Sequence, residues 1–293
     1  MQGITVFDFD QSVTAQVEFL QRFRAKVTTK PLKQFQTKLR LWCSPSCFSK
    51  VSNEMEMPNK SQFALLGSSD YHHLTLALLQ QHQTPFTLVL FDNRQNWMRP
   101  QHQYHSNTWI CTASRLPNIE RIVIVGLENG DLCAKKFNDS DAESYLGKKI
   151  ILLPYSGVEI AVSMGKTQQI QSQLKQSLKA GVQEILDAII TTNVYVSVDK
   201  DCLRREDAIT NWEQGTLPLE TVTTCIEAIN EQHTIIGADT VGDYSPPVFK
   251  SIFKWVDSFL DRSSSARRLQ SGVRADTINS MANVKIAHAL GFM

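Results

Sequence analysis

The chain has 293 residues, enough for one large domain or two small ones. Apolar residues make up 42%, and 30 Lys+Arg against 29 Asp+Glu leave a net charge of +1. That balance argues against a dedicated nucleic-acid binder, a polyanionic tail or a disordered chain. No run of about 18 apolar residues occurs, so no transmembrane helix is expected. The opening MQGITVFDFD lacks a basic region and reads as a strand rather than a signal peptide. Six scattered cysteines (Cys43, Cys47, Cys111, Cys133, Cys202 and Cys225) read as free thiols of a cytoplasmic protein.

In chain order, short apolar runs predict strands at Ile4–Phe9, Leu39–Trp42, Phe63–Leu66, Thr87–Phe91 and Arg121–Val125. Further runs follow at Ile150–Leu153, Glu159–Ser163, Val194–Val198 and Thr234–Ala238. Several are apolar on both faces, as strands of a covered parallel sheet are. Helical periods lie between and after them. Ile170, Leu174, Leu178, Val182, Ile185, Leu186 and Ile189 form one stripe; Val222, Cys225, Ile226 and Ile229 form a second, with Pro218 near its start. Val248, Ile252, Phe253, Val256, Phe259 and Leu260 form a third, and Ile278, Met281, Val284 and Leu290 suggest a terminal helix. The alternation predicts one three-layer α/β domain over residues 1–293. The polar stretches at 138–143 and 263–268 are too short to separate domains.

Ligands of parallel α/β sheets bind beyond the carboxyl ends of the strands. Strand 63–66 runs into GSSDYHH, with Asp70, Tyr71, His72 and His73. Strand 87–91 runs into DNRQNW, with Asp92, Arg94 and Asn96, and strand 194–198 into Asp199, Lys200 and Asp201. Carboxylates converging with imidazole suit a divalent metal such as manganese or zinc. The Asp-x-Asp spacing puts both carboxylates on one side of the chain. Taken singly, each acid also suits a loop start or a helix cap.

The ordered set of strand-end motifs resembles the ureohydrolase family of arginases and agmatinases. That family carries Gly-Gly-Asp-His, Asp-Ala-His-x-Asp and Asp-x-Asp segments in this order; here they read GSSDYHH, DNRQN and DKD. TNWEQGTLP at 210–218 and GADTVGDYSP at 237–246 resemble the later loops of the family. The resemblance implies a three-layer α/β/α domain with a mainly parallel sheet of about eight strands. It also implies divalent-metal hydrolysis of a C–N bond in a guanidino, amidine or amide substrate. The metal is expected to be manganese rather than zinc, the partner a small molecule, and a homo-oligomer is compatible with the family. Metal-ligand positions carried over are His72, Asp92, Asn96, Asp199 and Asp201. Arg94 stands where the family has a ligand His, and Asn96 where it has an Asp.

Asp92, Asp199 and Asp201 against Arg94 leave two negative charges, which one divalent ion neutralises. Arg cannot ligate a metal, but it can fork onto a carboxylate and take the place of a second ion. One ion, none, or two on an unusual ligand set all remain open, with Lys200 or Arg99 as counter-charges if none binds. His105 matches the position of a His that assists the leaving amine, with His102 as rival and Trp97 and Trp109 flanking the loop. Asp201 is expected to orient or accept the proton. The family's guanidinium-binding Glu is missing, and Asp239 and Asp243 stand nearby as substrate-binding candidates.

Two other readings compete. The altered ligands are also what a catalytically inactive binding protein of this ancestry would show. Separately, VFDFDQS, with Asp8, Asp10 and Ser12, matches the haloacid-dehalogenase phosphatase signature. That class needs a Lys shortly before its last motif, and none occurs between Lys200 and Lys250. Without that chemistry, Asp8 and Asp10 would pair with basic groups or cap the helix near Ser12.

Overall fold

The computed structural model describes residues 3–57, 62–94, 104–128, 148–163, 166–261 and 275–293. Its centre is an eight-stranded sheet. The strands are β1 (Gly3–Asp8), β2 (Val27–Pro31), β4 (Gln62–Leu65), β5 (Phe86–Phe91), β7 (Ile119–Val125), β8 (Ile150–Leu153), β11 (Asn193–Asp199) and β12 (Thr234–Val241). Their order is β2-β1-β4-β12-β11-β5-β7-β8, and every neighbouring pair is parallel. All six residues of β5 are buried, as expected of a strand covered on both faces.

Helices cover both sides. Phe19 and Phe23 at α1 (Val17–Arg22), Leu186 of α6 (Leu178–Ala188), Val222 and Ile226 of α7 (Leu219–Gln232) and Ile286 of α9 (Ala275–Ala289) pack with Val89, Val123 and Val196. On the other face, Leu39 of α2 (Gln36–Leu39), Val51 of α3 (Pro45–Glu54), Leu78 of α4 (Thr75–Leu79) and Ile110 of α5 (Trp109–Ala113) pack with Leu88, Leu90 and Ile122. The alternation of inward side chains along each strand feeds these two cores.

Four local expectations are corrected. Residues 39–42 are not a strand of the sheet: Leu39 ends α2, Leu41 has φ 67°, and only β3 (Trp42–Cys43) is extended. It pairs antiparallel with β6 (Tyr104–His105), outside the main sheet. The edge strand β2 escaped notice because its residues VTTKP are mostly polar and half-exposed. Residues 159–163 lie in a hairpin of β9 (Val158–Ser163) with β10 (Lys166–Ile170), apart from the sheet. Ile170 therefore ends a strand, and α6 begins only after Ser177, whose side chain accepts from the Ala180 N–H.

The helix α8 (Ile252–Asp261) forms where its stripe placed it, but the stripe is not all core. Ile252 and Phe253 are 76% and 75% exposed. The helix is instead held by Lys254, whose ammonium donates to the carbonyls of Thr37, Lys38 and Trp42 at 3.2, 2.8 and 2.6 Å. Lys254 also lies 4.5 Å from the Trp42 ring centroid. Among the described residues, no helix is long and apolar enough to cross a membrane. Cys43, Cys47, Cys111, Cys202 and Cys225 are free thiols, and Cys133 lies outside the described residues.

Candidate metal centre

Three neighbouring regions of the sheet deliver the site. His72 sits in the helical turn after β4, Asp92 directly follows β5, and Asp199 ends β11. Their ligand atoms all lie within 4.8 Å of one another, and all three residues are buried. His72 Nδ1 is 3.1 Å from Asp199 Oδ2 and 3.3 Å from Asp92 Oδ2. Both contacts are at ion-pair distance, though neither has hydrogen-bond alignment. The other ring nitrogen, Nε2, is 3.3 Å from Ser197 Oγ. Ser197 Oγ donates at 2.9 Å to Asp239, which also accepts from Tyr195 (2.9 Å) and Thr75 (3.1 Å). A ligand histidine backed through its second nitrogen is the usual arrangement at protein metal sites.

Asp199 Oδ1 accepts from Ser69 Oγ at 2.7 Å and from the Asp201 N–H at 3.0 Å. Asp201 Oδ1 accepts from the Asn93 N–H at 3.3 Å. Asp92 Oδ1 accepts from the Arg94 N–H at 2.8 Å. Gly242, at φ 95°, packs against this corner; a Cβ there would lie 2.8 Å from Lys200 N and 2.9 Å from Asp199 Oδ1.

The electrostatics are those of an anion-rich buried site. Burial opposes charge on His72, but contact with Asp199 and Asp92 outweighs it and raises the pKa to about 10. Burial, with repulsion from Asp199 and Asp92, pushes Asp201 well above the carboxylate range. Burial also raises Asp92. Asp199 is held down against its burial by His72, Ser69 and the Asp201 N–H. Burial thus favours a proton on Asp201 and raises Asp92, while Asp199 stays ionised beside His72; all three acids ionise together only with more positive charge than His72 and Arg94 supply. A divalent cation answers the same deficit, and the imidazole–carboxylate donor set fits manganese or zinc.

The cavity at this point measures about 10 Å³, room for about one water-sized body. His72, Asp199 and Asp201 form its floor. Ser69, Arg94 and Trp212 wall it, and Ser106 and Asn107 close it. The Arg94 guanidinium lies 4.2 Å from the Trp212 ring centroid. Trp212 is fixed in turn: its indole N–H donates at 3.0 Å to Asp70, which pairs with the buried Arg40 at 2.9 Å. Arg40 also reaches Asp10 (3.3 Å), Ser245 and the Pro246 carbonyl (2.6 Å).

The sequence candidates fall into three groups. His72, Asp92, Asp199 and Asp201 come together. Asn96, Trp97, Arg99 and His102 lie outside the described residues. The third group is placed away from the cavity lining. His105 Nδ1 accepts from the Asn107 N–H at 3.0 Å and shapes the turn that carries Ser106 and Asn107 inward. Asp239 backs His72, as above. Asp243 Oδ1 accepts from Lys200 (2.6 Å), Gln16 (2.7 Å) and Asn283 (3.2 Å). Lys200 thus directs its hydrogen bonds to Asp243 and Asn283, and toward Asp199 its charge acts only through space. Asp8 and Asp10 are turn acceptors for Gln11 and Ser12, and Asp10 pairs with Arg40, which accounts for the VFDFDQS motif without phosphatase chemistry.

Sequence reasoning missed Ser69, Ser197, Trp212 and Ser106. Ser197 was the most visible of these, a polar residue inside the otherwise apolar run of β11.

The sheet order, with the His72, Asp92 and Asp199 cluster at the carboxyl ends of β4, β5 and β11, decides the architecture. This is the arginase fold. An arginase from Bacillus subtilis superposes with a TM-score of 0.61 at 13% identity, covering 99% of both chains. An agmatinase from Burkholderia thailandensis gives 0.59 at 16% identity, over 98% of this chain and 83% of the other. A formiminoglutamase from Trypanosoma cruzi, solved with Mn²⁺, gives 0.57 at 14% identity, over 99% and 92%. In sequence, the chain is 26% identical over 211 residues to an uncharacterized protein of Thermotoga maritima, 72% of this chain and 69% of that one. No family model matches the chain.

Proposed function

We propose that the protein is a hydrolase of C–N bonds in a small guanidino, amidine or amide compound, dependent on one divalent metal ion, manganese in preference to zinc. One observation carries this reading: the buried triad of His72, Asp92 and Asp199, with the Nδ1 of His72 facing both carboxylates without an aligned partner. These three side chains would hold the ion. When bound, it supplies Lewis acidity and lowers the pKa of water in the cavity.

The chain's own residues supply the rest. Ser197 and Asp239 fix the ring of His72 so that Nδ1 faces the cavity. Ser69 and the Asp201 N–H hold Asp199 in place. Asp201, on the cavity floor, orients the attacking water and accepts its proton. The water oxygen bonds to the substrate carbon, the C–N bond breaks, and the nitrogen leaves with a proton. The proton returned to that leaving amine would be the one Asp201 took from the water; His105, expected to assist, stands off the cavity with its pKa lowered to about 4 and instead shapes the turn that carries Ser106 and Asn107. Arg94 occupies the space of a second cation, so one ion per chain is expected rather than two.

The test is metal content of protein purified without chelator, followed by titration of Mn²⁺ and Zn²⁺ into the natural chain and Asp199→Ala. About one ion per chain, lost in the variant, supports the reading and justifies screening amide and guanidino compounds. Two equivalents of manganese would refute the role given to Arg94. A second reading, a binding protein without catalysis, is favoured by the size of the cavity, which admits about one water. No bound ion and no thermal shift with either metal would select it.

A further inference from the structure

Resting on the proposed C–N hydrolysis, we infer that the site is built for a substrate presenting a carbonyl oxygen, an amide or ureide, and rejects guanidinium and amidinium cations. Arg94 carries the selection. Its backbone N–H is tied to Asp92 at 2.8 Å, and its guanidinium is laid on Trp212 at 4.2 Å. Trp212 is held by Asp70, and Asp70 by Arg40. The residue is therefore anchored at its backbone by Asp92 and at its guanidinium by Trp212. Yet its Nε–H, buried on the cavity wall, has no hydrogen-bond partner among the described residues. On the wall closing the same cavity, Ser106 is 4% exposed and its hydroxyl is equally without a partner.

An unpartnered buried donor is costly, so a site that keeps one is completed by a ligand acceptor. A guanidinium or amidinium offers only N–H donors and a positive charge. Against Arg94, which has donors alone, it would leave that Nε–H unmet and set two cations side by side. A carbonyl oxygen has two lone pairs, one for Arg94 and one for the Ser106 hydroxyl. It is also where negative charge grows as water adds to the carbon, so the same two donors would bind that state more tightly than the ground state. The narrow cavity favours a small reacting group.

Acetamide and acetamidinium have nearly the same shape and differ in this one atom and its charge. We would measure the paramagnetic relaxation of their methyl protons by protein loaded with Mn²⁺, for the natural chain, Arg94→Met and Ser106→Ala. The manganese content of each sample is determined alongside. The expected result is relaxation of acetamide with little effect on acetamidinium. Acetamide binding should weaken about tenfold or more in Arg94→Met and to a smaller extent in Ser106→Ala, at unchanged manganese content. The metal itself favours an oxygen ligand, so the change with Arg94 is the deciding comparison; if Arg94→Met fails to fold, Ser106→Ala decides. Equal or stronger relaxation of acetamidinium, relaxation of neither probe, or acetamide binding unmoved by the variants overturns the inference. Absence of manganese from the natural chain overturns the proposed function instead, and the inference falls with it.

Discussion

Lys200 and Asp243 form an ion pair at 2.6 Å with both side chains fully buried. Replacing Lys200 with Met leaves the Asp243 carboxylate in the core with only the amides of Gln16 and Asn283 as donors. Breaking one side of a buried pair costs about 3–5 kcal/mol. At about 2.1 cal/mol/K per residue, this chain has an unfolding entropy of about 0.6 kcal/mol/K, so Tm should fall by about 5–8 °C. The double variant Lys200→Met with Asp243→Leu removes both charges. It should lose at least about 2 kcal/mol less than the two single losses added together. Urea unfolding of the natural chain and the three variants, read by circular dichroism, measures the cycle. Additivity within about 0.5 kcal/mol would show that the pair is not coupled and that the burial argument is wrong.

Three further outcomes follow from the geometry. Ser197→Ala cuts the link from His72 to Asp239 and should weaken Mn²⁺ binding about 10–100-fold with little change in fold, read by calorimetric titration. Gly242→Ala puts a Cβ at a positive φ against Lys200 N and Asp199 Oδ1; Tm and manganese affinity should fall together, and a change in neither would contradict the close approach. Burial lowers His105 from 6.5 to about 4, with Lys254 adding to this and Asp257 and Asp70 opposing it. Between those pH values the unfolded chain binds the extra proton, so this contribution to stability is present above 6.5 and is lost as pH falls toward 4. His105→Asn, which keeps an acceptor for the Asn107 N–H, should flatten that slope relative to the natural chain in urea unfolding at pH 4 to 7.

The parallel strands were legible because burial on both faces makes each a short, nearly continuous apolar run. The strand ends were legible because acids directly after such runs are conspicuous, and Asp92, Asp199 and His72 converge as their positions suggested. Less visible were residues whose role depends on distant contacts. Arg40 reads as an ordinary surface cation, yet it is completely buried between Asp70 and Asp10, some 30 residues away on either side. The ion pair of Lys200 with Asp243 was not visible, because sequence adjacency to Asp199 and Asp201 hides the direction of its side chain. Trp212 carries no local mark of standing against Arg94. The Ile170–Ile189 stripe found the helix at Leu178–Ala188 but began it too early, because a period of 3.6 can arise across a strand end and a loop and only the Ser177 cap shows where the helix starts.

The order of the strands also sets a timetable for synthesis. β4 and β5 are joined in one sheet only when β12 and β11 are placed between them. One block, β2-β1-β4, and another, β5-β7-β8, are both out of the ribosome once Leu153 has emerged. The pair that joins them is complete only at Val241, on the order of ten seconds later at ordinary rates of elongation. Through that interval two apolar strand edges stand open on the nascent chain, a natural target for chaperones. A chain arrested before Asp199 has two of the three candidate ligands, so under the proposed function an ion could be held only after β11 has emerged.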